Sequence, residues 1–246
     1  VEPTSDAKAK VAQLGERYGL DTEQVDRLAE VLAALARDEL APTTVRAPAE
    51  AADVHLADSL VALELKAVRV ARRMVEIGAG AGFPGVPLAV ALPGCGVALV
   101  ESQARKCEFI ERTLAAAGID NARAVCARVE EWPEGIGVHD VALARALAPQ
   151  PVVLEYAAPL LRLGGTVVDW RGRRDPEHES AGLEAAEELG LERVRVLRAQ
   201  PFAGARDHHL HVFVKRGKTP DRFPRRVGMA RKKPLAGVAT SASRGR

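Results

Sequence analysis

Met74-Val75-Glu76-Ile77-Gly78-Ala79-Gly80-Ala81-Gly82-Phe83-Pro84-Gly85 decides how the rest of the chain is read. It has the form of a β-branched strand, a glycine turn and a proline-opened helix. Three glycines at alternate positions let the backbone turn sharply and bring its amides close to a ligand, which a Cβ would block. Pro84 suits a first helical turn, where its missing N–H costs nothing. About twenty residues further on, a second strand at 97–100 runs into Glu101, where an acid can accept hydrogen bonds from both ribose hydroxyls of a nucleoside. These features describe an adenosine-cofactor site.

Spacing separates two classes of cofactor. The dinucleotide fingerprint Gly-x-Gly-x-x-Gly places a pyrophosphate at a helix N-terminus. Here Gly82 comes one residue early and Phe83 fills the sixth position. An acid at Glu76 would repel a pyrophosphate but suits a ligand carrying a sulfonium and an ammonium. The Glu-Ile-Gly-Ala-Gly-Ala-Gly run resembles the first motif of S-adenosylmethionine-dependent methyltransferases.

Outward from this motif, strands and helices alternate at βαβ spacing, the pattern of a parallel sheet covered on both faces. Strands are expected at 73–77, 97–101, 122–127, 140–144, 166–170, 193–197 and 210–214. Gly164-Gly165 is read as the turn into the fifth strand, and the intervening helices fall at about 84–92, 103–117, 151–163 and 176–189. Residues 198–209 are too few for another crossover, so the last two strands should pair antiparallel. In open sheets of this type ligands bind at the carboxyl ends of the strands, where Gly78, Glu101, Glu130, Arg145 and Arg171 all fall. Ahead of the sheet, residues 1–8 read as frayed. A helix follows Asp21-Thr22, and a second runs over about 49–66 with His55 and Asp58 one turn apart. Three parts result: an N-terminal helical cap (1–70), a cofactor-binding domain (71–216) and a basic tail (217–246).

Composition fits an enzyme of this kind. The 246 residues are 47% hydrophobic, enough for one α/β core. No apolar run reaches the ~18 residues that span a bilayer, which argues against a membrane protein. Cys95, Cys107 and Cys126 have neither metal spacing nor an even count, as expected of reduced thiols in a cytoplasmic protein. Nothing resembles a coiled-coil seam, and a monomer without a metal is expected. The net charge of +2 hides an asymmetry: residues 215–246 hold eleven Lys/Arg and one acid, leaving 24 basic and 32 acidic residues before them. An acidic body with a basic tail suggests a phosphate-rich partner.

Several segments carry a closer resemblance. They are the 76–88 run through Gly-Phe-Pro-Gly-Val-Pro-Leu, Glu101-Ser-Gln-Ala-Arg-Lys-Cys-Glu-Phe-Ile, Arg128-Val-Glu-Glu-Trp-Pro and Asp140-Val-Ala-Leu-Ala-Arg-Ala. To these are added His55-Leu-Ala-Asp-Ser and the tail Phe223-Pro-Arg-Arg-Val-Gly-Met-Ala-Arg-Lys-Lys-Pro-Leu. Over about 41–235 the chain is similar to the bacterial small-subunit rRNA guanine-N7 methyltransferases, the RsmG or GidB family. The resemblance implies a class I methyltransferase fold, a seven-stranded, mostly parallel Rossmann-like sheet with an antiparallel last strand. It also implies S-adenosylmethionine as cofactor and a loop guanine in the decoding region of 16S rRNA, free or in the small ribosomal subunit, as substrate. Cofactor contacts are then expected at Gly78, Phe83, Glu101, Ser102, Gln103, Val129 and Glu130, with Arg145 closing the site.

The physical reading agrees for most of these positions. Gly78 permits close approach of the methionine moiety, Val129 can cover an adenine face, and Phe83 either walls the pocket or packs in the core. Arg145, at the end of the fourth strand, is the candidate catalytic residue. Its guanidinium can hold a carboxylate, guanine O6 or a phosphate, or it can simply pair with Asp140 or Glu130. RNA contacts are expected at Arg171 and at Arg225, Arg226, Arg231, Lys232 and Lys233, ordering on contact. His139 reads as structural, and His208, His209 and His211 as a solvent-facing strand edge rather than metal ligands. The chain departs from the family pattern at Thr43-Thr44, Arg171-Gly172 and Asp207-His208-His209. A methyltransferase acting on a small molecule or protein explains 73–214 but not the tail; an RNA-binding module with a vestigial pocket is a further alternative.

Overall fold

Two amphipathic helices precede the sheet. The computed structural model describes residues 4–236, beginning with α1 (Ser5–Tyr18) and α2 (Thr22–Arg37). Asp21 caps α2 through a reciprocal capping box: its side chain accepts the Gln24 amide, and the Gln24 side chain accepts the Asp21 amide. The expectation of a frayed 1–8 is corrected from Ser5 onward. Thr4 caps α1 by accepting the Ala7 amide, and Ala7 and Val11 are buried. Residues 1–3 lie outside the described part.

The second expected helix is irregular. α3 (Pro48–Ala51) passes through a π-helical turn (Ala52–Ala57) into α4 (Asp58–Leu60) and a 3₁₀ turn (Val61–Glu64), with α5 (Lys66–Arg69) after it. Such π turns often mark functional sites, and this one carries His55.

Seven strands then form one sheet: β1 (Arg73–Ile77), β2 (Gly96–Glu101), β3 (Ala122–Cys126), β4 (His139–Arg145), β5 (Leu161–Arg171), β6 (Leu191–Ala199) and β7 (His208–Lys215). Their order is β3-β2-β1-β4-β5-β7-β6. The first five are parallel, and β7 runs antiparallel between β5 and β6. β5 begins five residues earlier than expected. Leu161 pairs with His139 and Thr166 with Val141, so Gly164-Gly165 belongs to a bulge inside the strand, not to a turn before it.

Side chains alternate between the two faces, as the pleat requires. Met74, Leu99, Leu143 and Val168 face the N-terminal helices, α6 (Gly85–Ala91) and α7 (Ala104–Ala116). Val75, Val100, Ala142, Val167 and Phe213 face α8 (Gln150–Ala157) and α9 (Pro176–Leu189). The basic segment is docked, not free, over 217–236. Phe223 and Ala230 enter the second core, and α10 (Met229–Lys232) lies on α8.

Candidate active site

The turn after β1 is folded onto β2. Gly78 and Ala79 donate their amides to the Val100 carbonyl, and Gly82 donates to Ala79. Gly78, Gly80 and Gly82 all have positive φ (68°, 58° and 86°), which a side chain rarely adopts. Because these amides are satisfied within the protein, the turn offers no row of free N–H groups to a pyrophosphate. That disfavours a dinucleotide.

Glu101 closes β2 and organises the next loop. Its Oε1 accepts the amides of Ser102 at 2.8 Å and Gln103 at 2.9 Å, and its Oε2 accepts Gly80 N–H at 3.1 Å. Ser102 Oγ also reaches Oε1 at 3.5 Å and Lys106 Nζ approaches Oε2 at 3.9 Å; Oε2, with one hydrogen bond, is the oxygen left to accept from a ligand. The buried carboxylate is thus held rigid at the edge of a cavity.

That cavity, of about 300 Å³, lies at the carboxyl ends of β1, β2 and β4. Gly78, Glu101, Ser102, Gln103, Val129 and Glu130, six of the expected contacts, line it together. Lys106, Arg128, Ala146, Leu147, Tyr156 and Arg231 are among the other wall residues, and sequence reasoning assigned none of these to the cofactor. Ala146 carried one usable signal: it follows a strand end, and here it takes φ 53°, the left-handed region where a non-glycine residue is uncommon. The space beside Glu101 is polar and suits a nucleoside whose ribose meets that carboxylate, while the Leu147 side chain lies 2.5 Å from where a Cβ on Gly78 would sit. The residues therefore fit S-adenosylmethionine.

The other two expected contacts, Phe83 and Arg145, lie elsewhere, as does Glu76, the acid read as suiting a sulfonium. Phe83 is buried against the N-terminal helices, its ring stacked on His55 at 4.5 Å and 9°; it does not line the cavity. Glu76 is buried beneath the turn and accepts the Gly85 amide at 2.9 Å, capping α6. Burial pushes its carboxyl up to about 8, so it is largely neutral at pH 7 and serves the turn, not the sulfonium.

Arg145 also turns away from the cavity. Its Nη1 donates to Asp58 Oδ2 at 2.9 Å and to the Val54 carbonyl at 3.0 Å; its Nη2 faces His55 Nδ1 at 3.3 Å. The ion pair is thus with Asp58, not with Asp140 or Glu130. Asp140 instead takes the Arg72 and Arg73 amides at the strands' other end, and Glu130 takes the Gly228 amide. Because an arginine only donates, His55 Nδ1 is an acceptor and its proton sits on Nε2, near Val45 O and Thr43 Oγ1. Burial, then Arg145, pull the His55 pKa down to about 4. Asp58 Oδ1 meets His208, and the Asp58 carbonyl accepts Trp170 Nε1. Thr43 and His208, both departures from the family pattern, therefore belong to one polar network that ties the helical cap to β4, β5 and β7.

The expected RNA contacts divide. Arg226, Lys232 and Lys233 are exposed. Arg225 is engaged by the buried Glu155, which takes both Nε and Nη2. Arg231 donates to the Leu147 carbonyl and lines the cofactor cavity. Arg171 donates Nε to the buried Asp169 at 2.6 Å, so it is no free surface cation. The histidines do not form a solvent-facing edge, because β7 is interior and β6 is the edge strand. His211 in particular is buried. His139 is structural, with Nδ1 on the Gly135 and Leu160 carbonyls and a pKa lowered by burial.

A reversed strand beside β5, a glycine turn after β1 and an acid ending β2 beside an open cavity define a class I S-adenosylmethionine-dependent methyltransferase. Solved structures share the fold. Geranyl diphosphate methyltransferase, in complex with its diphosphate and sinefungin, has a TM-score of 0.54 at 18% identity over 72% of this chain and 86% of that one. Aeropyrum pernix fibrillarin, with natively bound S-adenosylmethionine, gives 0.52 at 18% identity over 64% and 73%. The chain itself belongs to the family of rRNA small subunit methyltransferase G (GidB), whose profile matches residues 21–209. It is 38% identical over 190 residues to ribosomal RNA small subunit methyltransferase G of Rubrobacter xylanophilus, covering 74% of this chain and 72% of the relative. The corresponding protein of a Synechococcus strain is 37% identical over 204 residues, covering 78% and 77%.

Proposed function

We propose that the protein transfers a methyl group to N7 of a loop guanine in the decoding region of 16S rRNA. S-adenosylmethionine supplies the methyl already activated on a sulfonium. Guanine N7 carries a free lone pair in the neutral base, so no proton has to leave before attack. Positioning and a fixed polar environment then suffice for catalysis.

The chain's own groups divide that work. Glu101, held by three backbone amides, presents a rigid acceptor to the ribose. Val129 and the backbone at Ser102-Gln103 flank the adenine side, and Gly78, lacking a Cβ, lets Leu147 pack onto the turn as the wall beside the methionine end. Arg145 acts from outside the cavity wall, fixing the β4 end and the Ala146-Leu147 rim against the helical cap.

One observation carries the RNA reading. The basic C-terminal segment is packed at the cavity itself, with Arg231 in its wall and Arg226, Lys232 and Lys233 exposed on the same short segment. Unstacked loop bases are what proteins read in RNA, and this segment offers charge to the adjoining phosphates. Mass mapping of ribosomal RNA from cells with and without the protein tests the proposal. A single missing 7-methylguanine supports it, and an unchanged modification map refutes it.

A further inference from the structure

Outside the cofactor cavity, three buried polar atoms without a hydrogen-bond partner belong to neighbouring residues: Gln150 Oε1, Arg171 Nη2 and His211 Nε2. All three residues line a second cavity of about 190 Å³ at the carboxyl end of β5, beside β7 and between α8 and α9. Unpaired buried groups of this kind are rare and call for an explanation.

The protonation pattern follows from the neighbours. Arg171 Nε and Gln150 Nε2 converge on Asp169 Oδ2 at 2.6 and 3.0 Å, so Gln150 presents its amide nitrogen there. The same nitrogen lies 3.1 Å from His211 Nδ1, which must therefore accept. A neutral imidazole whose Nδ1 accepts carries its proton on Nε2. Gln150 Oε1 is turned against Gly182 of α9, where even a Cβ would clash with it. The open valences are therefore two N–H donors, from Arg171 and His211.

The acids around the cavity are already committed. Asp175 caps α9 by accepting the Glu177 and His178 amides. Glu179 is held by Arg174 through two bonds and by Arg193 through a third. Arg173 is 88% exposed at the mouth, with only a loose 3.8 Å approach to Asp207. The uncommitted polarity is donor and cationic, which matches an oxyanion.

We infer that this cavity is a phosphate-binding site, in which Arg171 Nη2 and His211 Nε2–H take oxygens of one phosphate group and Arg173 adds charge at the entrance. If the phosphate is part of RNA, the site rests on the function proposed above and holds the substrate backbone beside the β5 end. A free phosphate uses the same donors.

The test uses the full-length protein, ¹⁵N-labelled, titrated with inorganic phosphate at constant ionic strength while the His211 Nε2–H resonance is followed. Binding of small-subunit rRNA is measured in parallel against salt for the wild type, Arg173→Gln and His211→Gln. Arg173 is exposed, so its variant keeps the test valid if the His211 variant fails to fold. A phosphate-dependent shift of the resonance is expected, together with an RNA affinity about tenfold lower in the variants and, for Arg173→Gln, which removes a charge, a log–log salt slope reduced by about 0.7–0.9. A shift with an unchanged RNA slope assigns the site to free phosphate, and a reduced slope assigns it to the RNA backbone. No shift together with an unchanged slope means that water alone fills the cavity, and overturns the inference. Methyl transfer by the wild type is scored separately, so loss of this site leaves the proposed activity standing.

Discussion

Arg145 Nη1 lies 2.9 Å from Asp58 Oδ2, joining the last residue of β4 to the helical cap. Both side chains are largely buried, 19% and 8% exposed, and the Asp58 carboxylate also holds His208. Truncating either member leaves the other charge short of a partner, which in buried pairs costs about 3 kcal/mol or more. Arg145→Ala is expected to lower unfolding stability by that amount and to abolish methyl transfer. Its affinity for S-adenosylmethionine should stay within a few-fold of wild type, because Arg145 is outside the cavity wall. Urea unfolding and calorimetry check both; full transfer activity in the variant would remove Arg145 from the mechanism.

Glu101 is the cavity residue on which cofactor affinity should depend most. Glu101→Ala deletes the ribose acceptor and releases three backbone amides. Hydrogen bonds to a charged group are worth roughly 1.5–3 kcal/mol, so affinity for S-adenosylmethionine should fall by about 10- to 150-fold. Calorimetric titration measures this, and an unchanged affinity would show that the ribose sits elsewhere.

Glu76 predicts a pH dependence of stability. Its ordinary value is 4.5 and burial raises it to about 8 in the folded protein. The folded state therefore binds the proton more tightly, so the contribution is complete below about pH 4.5 and is lost as pH rises toward 8. Across that window stability should decline by up to about 1.4 kcal/mol per pH unit. Glu76→Gln keeps the Gly85 contact without a titrating proton. The variant should gain on the wild type between pH 5 and pH 8 in urea unfolding; a difference that stays constant with pH would contradict the assignment.

The basic segment should separate into structural and RNA-facing cations. Arg225→Ala strands the buried Glu155 and is expected to destabilise the protein by about 3 kcal/mol, exposing 223–236 to protease. Neutralising Arg226, Lys232 and Lys233 together should leave stability within about 0.5 kcal/mol but reduce the salt dependence of RNA binding. Identical salt slopes before and after neutralisation would place the RNA on another face.

Local signals determined the architecture. The glycine turn, the strand spacing and the acid after β2 are written in consecutive residues, because backbone conformation and side-chain alternation act over short range. Asp21 with Gln24, and Pro176 opening a helix that ends before Gly190, are legible for the same reason. Of the six cofactor-cavity residues, Gly78, Glu101 and Glu130 were legible at the carboxyl ends of parallel strands, and Ser102, Gln103 and Val129 through the family resemblance. Phe83, Arg145, Arg171 and Arg225 were not placed correctly from sequence, and Asp58, Asp169 and Glu155 explain why. An arginine's direction depends on which carboxylate the fold brings within reach, and those acids lie 87, 2 and 70 residues away along the chain. The buried His211 was hidden because only strand order shows that β7 is interior. Sequence thus determined which elements form and where ligands gather. Tertiary structure alone decided which charges are spent inside the protein and which remain for a ligand, because burial is a property of the packed fold and two of the three pairings, Arg145 with Asp58 and Arg225 with Glu155, join residues distant in sequence.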